Sequence, residues 1–311
     1  MMKFRKIAAF TVAGGFLLGA CGSDEQEADT TTADTTTADT TTADTTAPTT
    51  ADTTATGVTT GAGGAVDCQP IKAGVLSVVT SLPGPNFWGT DEVDPTAITT
   101  GIEHDLAVAI AEACGLEMEV RNESFDAIVA GQIAEDTYDI ALSQVTITEE
   151  REKVVDFSVP YFKADQGILV KTGTEIASFD DLKALNVGVQ QTTTAEYYFL
   201  EIPEWSLGKD PQSFPDLIAA YGALDAGQVD AVVIDTPINL GQASQSDGGL
   251  EVVAQIATGE EYGAIYPEGS PKKAVLDGVI QGLVDDGTVN GFIATYLGGD
   301  PSTVPFIEIG A

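Results

Sequence analysis

The feature that most restricts the fold of this 311-residue chain is an alternation of apolar strands and amphipathic helices that begins at residue 75. Residues 75–80 predict a buried strand, Ile102–Cys114 predict a helix that ends at Gly115, and residues 116–120 predict the next strand. This order is typical of a parallel α/β sheet, and the alternation restarts near residue 178. Ligands of such sheets bind beyond the carboxyl ends of the strands, so we expect the functional residues there.

One such end carries the run Thr146-Ile-Thr-Glu-Glu-Arg151, directly after a strand predicted at 139–142. Thr148 suits the N-cap of a short helix, which would hold Arg151 beside the hydroxyls of Thr146 and Thr148. A guanidinium group matches a carboxylate through two parallel hydrogen bonds. Two interpretations are open: Arg151 belongs to an anion pocket, or it pairs on the surface with one of the neighbouring glutamates.

The second strand–helix unit offers complementary groups at its own strand ends. Thr193 and Thr194 follow a strand at 187–190 and precede a helix, where hydroxyl and backbone donors suit an anion. Asp235 ends a strand predicted at 229–234 and suits a cation. The sequence therefore predicts an anion-binding and a cation-binding position in one cleft.

Further candidates follow strands of the first unit. Ser81 comes after the first strand, and Phe125 begins a predicted helix. Phe87 and Trp88 lie in a loop rich in glycine and proline that follows Ser81. This aromatic pair either forms part of a binding surface or caps the core, and the residues alone leave both open.

The N-terminus has the composition of a targeting segment. A basic start and an apolar stretch from Ile7 to Leu18 are followed by Gly-Ala-Cys21, an order that resembles a bacterial lipobox. We expect a lipoprotein signal peptide over residues 1–20 and lipid on Cys21, the alternative being an ordinary secreted protein with a stray cysteine. The Thr/Ala/Asp-rich residues 21–66 cannot bury a core, which predicts a disordered tether.

Charge and cysteine content narrow the function further. The net charge of −35 disfavours nucleic acid and anionic membrane surfaces as partners. Cys68 and Cys114 remain after Cys21, and in an oxidising compartment a disulfide is their natural interpretation. The single histidine and the absence of ligand-like spacing predict neither a metal site nor a cofactor.

Taken in order, the motifs resemble the polar amino-acid-binding family (family 3) of extracytoplasmic solute-binding proteins of bacterial ABC transporters, over about residues 70–298. The matching segments are Gly101-Ile-Glu-His-Asp-Leu106, Phe125-Asp-Ala-Ile128, Thr146 through Arg151 to Pro160-Tyr161, Thr193-Thr-Ala-Glu196 and Val229 to Asp235. The resemblance implies an α/β fold of the type II periplasmic-binding-protein class. It has two lobes, each a mostly parallel sheet flanked by helices, joined by a two-strand hinge that closes over the ligand. Lobe 1 is expected at residues 67–164 and 258–311, and lobe 2 at 165–257.

The resemblance also implies roles for individual residues. Arg151 would bind the ligand α-carboxylate, helped by Thr146 and Thr194, and Asp235 would bind the α-ammonium. Phe125 would pack against the ligand side chain, with an aromatic of the Phe87–Trp88 loop on the other side. Gln144 stands where the family's backbone commonly meets the ammonium. Ser81 replaces a frequent acid, which disfavours Lys, Arg or ornithine as the ligand.

The function implied is that of a substrate-binding lipoprotein of an ABC amino-acid importer. It would be a monomer on the outer face of the cell membrane that delivers a free amino acid to permease subunits, and it would not be an enzyme. The alternatives are an enzyme on the same fold, resembling cyclohexadienyl or arogenate dehydratases, and a ligand sensor.

Overall fold

The computed structural model describes residues 65–90 and 92–310. The predicted signal peptide, Cys21 and residues 22–64 of the predicted tether lie outside the described residues. Within the described part of the chain, no helix is both long enough and apolar enough to cross a membrane.

The first half of the described chain alternates strands and helices as the sequence predicts. Its elements are β1 (Val75–Thr80), α1 (Ile102–Cys114), β2 (Glu117–Asn122), α2 (Phe125–Val129), β3 (Ile140–Ala141), β4 (Asp156–Phe157) and β5 (Phe162–Lys171).

The second half continues the same alternation and ends in two helices. Its elements are α3 (Phe179–Lys183), β6 (Val187–Gln190), α4 (Thr194–Glu201), β7 (Gln212–Phe214), α5 (Leu217–Asp225), β8 (Ala231–Asp235), α6 (Thr236–Ser244), β9 (Leu250–Tyr262), β10 (Ile265–Tyr266), α7 (Lys273–Asp285) and α8 (Thr288–Tyr296).

The strands form two five-stranded sheets, which confirms the predicted two-lobed α/β fold. The first sheet has the order β2-β1-β3-β10-β4, with β1 parallel to β2 and β3 and with β10 antiparallel to its neighbours. The second has the order β7-β6-β8-β5-β9, with β6 parallel to β7 and β8. In each sheet the parallel strands direct their carboxyl ends toward one edge, where the loops that carry the candidate residues begin.

The antiparallel pair β5 and β9 has an irregular register at the point where the predicted lobe boundary falls. Pairing shifts between Ala164 and Gln166, and the Asp165 carboxylate accepts hydrogen bonds from the backbone nitrogens of Thr258 (2.7 Å) and Gly259 (2.9 Å). A bulge of this kind bends a strand pair and changes which side chains face inward. The lobe boundaries themselves remain a prediction.

The last described residues pack differently from the predicted assignment of 258–311 to the first lobe. Phe306 bridges to Gln255 on β9, where the Gln255 nitrogen donates to the Pro305 carbonyl and the Ile307 nitrogen donates to the Gln255 carbonyl, both at 2.9 Å. Ile307 is buried in the core of the second sheet. The reason is that β9 is an edge strand, and this segment satisfies its unpaired backbone groups.

Helix α1 begins and ends where the sequence predicts. Gly115 has a φ of 66°, and its nitrogen donates to the carbonyls of Ala111 and Glu112, which stops the helix. Cys114, the last residue of α1, is bonded to Cys68, which confirms the predicted disulfide. The N-terminal described segment is thereby fixed to the first lobe.

The structure differs from the sequence prediction after Thr148 and after Asp235. The short helix expected after Thr148 is a 3-10 turn at Arg151–Lys153, with the Arg151 nitrogen donating to the Thr148 hydroxyl at 3.3 Å. Helix α6 was not predicted, although Pro237 near its start is a known helix-start signal. Because α6 follows Asp235 directly, it fixes the end of β8 at the cleft.

Candidate functional site

A cavity lies between the lobes where the parallel strands of both sheets end. Residues of both lobes line it: Ser81, Leu82, Pro83, Phe125, Ser143, Gln144, Thr146, Arg151, Gln190, Thr193, Thr194, Asp216, Leu217, Ile234, Asp235 and Ile238. Eight of the ten residues that the sequence predicts for the ligand are among them, so the topology brings these eight together.

Arg151 extends from the first lobe across this cavity. Its Nη1 donates to the Thr146 carbonyl at 2.7 Å and its Nη2 donates to the Thr192 carbonyl of the second lobe at 3.0 Å. The guanidinium lies 5.6 Å from the centroid of the Phe125 ring, within cation–π range. Two carbonyls and one ring therefore fix its orientation and leave further N–H groups for a ligand.

The surface ion pair considered for Arg151 is not formed. Arg151 is 9% exposed and forms no ion pair with any described residue, whereas Glu150 pairs with Lys153 at 2.5 Å. Burial lowers the pKa of the Arg151 guanidinium, and the carboxylates of Asp235 and Glu260 oppose this. A buried cation of this kind is stabilised when an anion enters its cavity.

Asp235 faces the same cavity from the end of β8 and is 4% exposed. It accepts hydrogen bonds from Gln166 Nε2 at 2.7 Å and from the Tyr262 hydroxyl at 2.5 Å. Burial, followed by the charge of Glu260, raises the pKa of Asp235 to about 7. A ligand cation would favour the ionised form.

Glu260 is a buried acid beside the cleft that the sequence analysis did not single out. Its carboxylate, 4% exposed, accepts hydrogen bonds from Thr146 Oγ1 (2.5 Å), Thr194 Oγ1 (2.7 Å), Gln166 Nε2 (2.7 Å) and Thr258 Oγ1 (3.0 Å). It is not among the residues that line the cavity. The pair Glu260-Glu261 carries no local signal of which side chain faces inward, because the bulge decides it.

Thr193 and Thr194 of the second lobe make different contacts. Thr194 donates to Glu260, whereas the Thr193 hydroxyl donates to the Gln190 carbonyl at 2.7 Å and accepts from the Glu196 nitrogen at 3.3 Å. Thr193 is therefore the N-cap of α4. Thr192 before it has a φ of 61°, a left-handed backbone that places its carbonyl against Arg151.

Ser81 and Gln144 line the cavity as predicted, although the amide of Gln144 is directed toward Glu103. The Gln144 nitrogen donates to Glu103 Oε1 at 2.7 Å, and its side-chain amide also donates to Glu103. The Ser81 nitrogen donates to Ser143 Oγ at 3.0 Å. Neither side chain adds a charge to the cavity.

Phe87 and Trp88 do not line the cavity, so the prediction that they contact the ligand is wrong in this structure. Both are fully buried; Phe87 packs edge-on against Phe162, with 5.2 Å between centroids, and Trp88 Nε1 donates to Glu103 Oε2 at 2.8 Å. The nitrogen of Ile102 donates to the Asn86 carbonyl, and that of Glu103 donates to the Phe87 carbonyl. These bonds hold the loop under the start of α1, so the rings cap the core.

The second lobe contributes wall residues that the sequence did not single out. Asp216 is the N-cap of α5 and accepts from the Ala219 nitrogen at 2.8 Å, and Leu217 and Ile238 add apolar surface. An N-cap aspartate directly after β7 was an available signal, because it stands at a strand end. Among the described residues, no three His, Cys, Asp or Glu side chains are arranged to hold a metal ion.

Comparison with known proteins identifies a matching protein family. Residues 85–299 match the model of the bacterial extracellular solute-binding proteins, family 3. The chain is similar to the L-cystine-binding protein TcyJ of Escherichia coli (strain K12), with 30% identity over 65% of this chain and 75% of the relative. It is also similar to the arginine-binding protein ArgT of Corynebacterium glutamicum, with 28% identity over 72% of this chain and 75% of the relative.

Solved structures of amino-acid-binding proteins are also similar to this chain. An ancestral arginine-binding protein bound to glutamine superposes with a TM-score of 0.64 and 33% identity, covering 73% of this chain and all of the other. An ancestral amino acid-binding protein, a precursor of cyclohexadienyl dehydratase, gives a TM-score of 0.61 and 31% identity over 72% of this chain and 95% of the other.

Proposed function

The chain belongs to the bacterial extracellular solute-binding proteins of family 3, and from that premise we propose that it captures one free amino acid between its lobes for an ABC importer. Arg151 binds the α-carboxylate and Asp235 binds the α-ammonium, while Phe125, Ser81 and the apolar wall contact the side chain. Closure of the lobes then presents the loaded protein to permease subunits.

The observation that carries this proposal is one buried cavity with a cation from one lobe and an anion from the other. Within the described residues, neither Arg151 nor Asp235 forms an ion pair. A zwitterion brings both missing counter-charges at once and meets both only when the lobes are closed. Ligand binding therefore shifts the population toward the closed form.

The family places the chain outside the cytoplasm, and we propose that lipid on Cys21 anchors it to the membrane. The apolar run that ends in Leu18-Gly-Ala-Cys21 supports this. The test is partition of the expressed protein into detergent, with Cys21→Ser as the variant. A wild-type protein that stays in the aqueous phase would contradict the anchor.

The function is tested by mass spectrometry of small molecules released from the natively purified protein, followed by calorimetry against the common amino acids. Arg151→Ala should weaken binding by about 3–5 kcal/mol, or roughly 10²- to 4 × 10³-fold, because the ligand carboxylate stays buried without its partner. Arg121→Ala is the matched control, since Arg121 is half-exposed on β2, where it pairs with Glu123. Equal affinities of both variants, or no heat with any amino acid, would contradict the proposal.

A dehydratase is the second candidate, because Asp235 has one property that a general acid needs. Its pKa of about 7 leaves part of the population protonated near neutral pH. The relatives reported above are binding proteins, and we infer that this chain is not an enzyme. Incubation with prephenate or arogenate decides the matter, and release of phenylpyruvate or phenylalanine would favour the enzyme.

A further inference from the structure

Glu260 occupies a position that the proposed binding of an amino acid does not explain. It is almost fully buried, it lies outside the cavity lining, and it forms no ion pair with any described residue. Its four hydrogen bonds all come from neutral donors, the hydroxyls of three threonines and the amide of Gln166. A carboxylate kept in such a place needs a structural or conformational reason.

The local backbone explains why this side chain points inward. The Asp165 carboxylate binds the backbone nitrogens of Thr258 and Gly259, and Gly259 has a φ of 65°, which bends β9 just before Glu260. After the bend Glu260 turns into the protein. Its neighbour Glu261 turns outward, where Lys163 lies 3.5 Å from its carboxylate.

The donors to Glu260 come from both sides of the cleft. A single oxygen, Oε2, accepts from Thr146 in the loop after β3 and from Thr194 at the start of α4. Hydroxyl-to-carboxylate hydrogen bonds extend only to about 3 Å, so a rotation of the second lobe away from the first must break one of the two. This three-residue arrangement exists only while the lobes are together.

We propose that Glu260 is the positioning residue that sets the open–closed equilibrium of this protein. From β9, one of the two strands that cross between the lobes, it accepts hydrogen bonds from Thr146 of the first lobe and Thr194 of the second, and it does so before any ligand is bound. The inference rests on the proposed function for its purpose, because a protein that is partly closed in advance binds its amino acid more tightly. The hydroxyl protons of Thr146 and Thr194 then serve closure, and Arg151 is left as the principal group for the ligand carboxylate.

The experiment compares Glu260→Gln with Glu261→Gln, its outward-facing neighbour on the same strand, after bound ligand is removed by unfolding and refolding with the disulfide intact. Small-angle X-ray scattering should show wild type and Glu261→Gln equally compact and Glu260→Gln expanded. Amide hydrogen exchange should rise at Gln166 and Thr194 in Glu260→Gln alone. If Glu260→Gln scatters like the wild type, the proposal is overturned.

A second variant covers the case in which Glu260→Gln does not fold. Thr194→Val keeps the shape of the side chain and removes the donor to Glu260, together with the weaker contact in which the hydroxyl accepts from Gln166 Nε2 at 3.2 Å, so it should expand the ligand-free protein in the same direction. If Thr194→Val stays compact, the proposal is likewise overturned. Phe125→Ala supplies the reverse control, because it touches the cavity without touching Glu260 and should leave the ligand-free scattering unchanged.

Binding is then measured with L-arginine, L-glutamine and L-cystine as probes. A tenfold smaller closed population lowers the apparent affinity about tenfold, so Glu260→Gln should bind the accepted probe roughly tenfold more weakly. The two hypotheses fail separately. If the wild type binds no amino acid yet Glu260→Gln expands, the proposed function falls and the closure role stands. If affinity falls while scattering is unchanged, Glu260 is a ligand contact and the closure role falls.

Discussion

Two buried hydrogen-bond networks in this protein, one around Glu103 and one around Asp235 and Glu260, differ in how their hydrogen bonds are satisfied. In the first lobe, Glu103 accepts from Trp88 Nε1, the Gln144 nitrogen, the Gln144 amide and the Tyr161 hydroxyl. In the cleft, two carboxylates and a threonine hydroxyl share the amide of Gln166, whose nitrogen carries only two hydrogens. The Oε1 of the same amide accepts from no described donor.

This is the difference that we expect between a structural acid and one that binds a ligand. Each carboxylate oxygen of Glu103 accepts two hydrogen bonds, so its network is complete and belongs to the core. Asp235 accepts only two hydrogen bonds, one of them from the Gln166 amide that it shares with Glu260, and it faces a cavity that also holds the guanidinium of Arg151. Under the proposed function, an amino acid would supply the counter-charges of Arg151 and Asp235, neither of which forms an ion pair with a described residue.

The largest effect expected from this comparison is on stability at Glu103. Glu103→Ala leaves the buried donors of Tyr161 and Gln144 without an acceptor, which should lower the free energy of unfolding by about 3–5 kcal/mol. Urea denaturation with the disulfide intact measures it. Glu112→Ala, on the exposed face of the same helix, should change stability by less than about 0.5 kcal/mol. Similar losses in both variants would show that the Glu103 network contributes little.

Asp235 in the cleft should destabilise the folded protein at neutral and higher pH, whereas Glu103 stabilises it. Because the pKa of Asp235 is raised to about 7 from an ordinary value of 3.8, the folded state binds more protons than the unfolded state between these values. Stability from this group is therefore present at low pH and is lost as the pH rises toward 7. Asp235→Asn removes this loss and should be more stable than the wild type at pH 8 by roughly 1–3 kcal/mol.

This prediction is measured by chemical denaturation from pH 4 to pH 8. At pH 4 the two proteins should be nearly equal, because Asp235 is protonated in the folded state. A variant that is less stable than the wild type at every pH would contradict the account and make Asp235 a structural acid like Glu103.

The smallest effects distinguish the aromatic residues of the two regions. Trp88→Phe removes the indole donor to Glu103 and should lower stability by about 1–2 kcal/mol without changing ligand affinity. Phe125→Ala removes the ring beside Arg151 and should weaken binding about tenfold, with little change in stability. Thermal unfolding and calorimetry with the amino acid that the wild type accepts separate the two. Loss of affinity in Trp88→Phe would show that the Phe87–Trp88 loop contributes to ligand binding.

The sequence by itself determined the elements that depend on local chemistry. The apolar periodicity and Gly115 predicted α1, and the strand–helix alternation predicted parallel sheets with their loops at one edge. That rule was enough to bring Arg151 and Asp235 to one cavity, although 84 positions separate them in the chain. The pairing of Cys68 with Cys114 followed from the number of cysteines and the expected compartment.

Only the tertiary structure decided which way the ambiguous side chains face. Phe87 and Trp88 lie under α1 because backbone bonds tie their loop to the helix start, and no local pattern shows such a bond. Glu260 points into the cleft and Glu261 away from it because a bulge set by Asp165 on the other hinge strand bends β9. Local spacing indicates where a strand ends, whereas the direction of a side chain beyond a bulge depends on contacts between residues 93 and 94 positions apart.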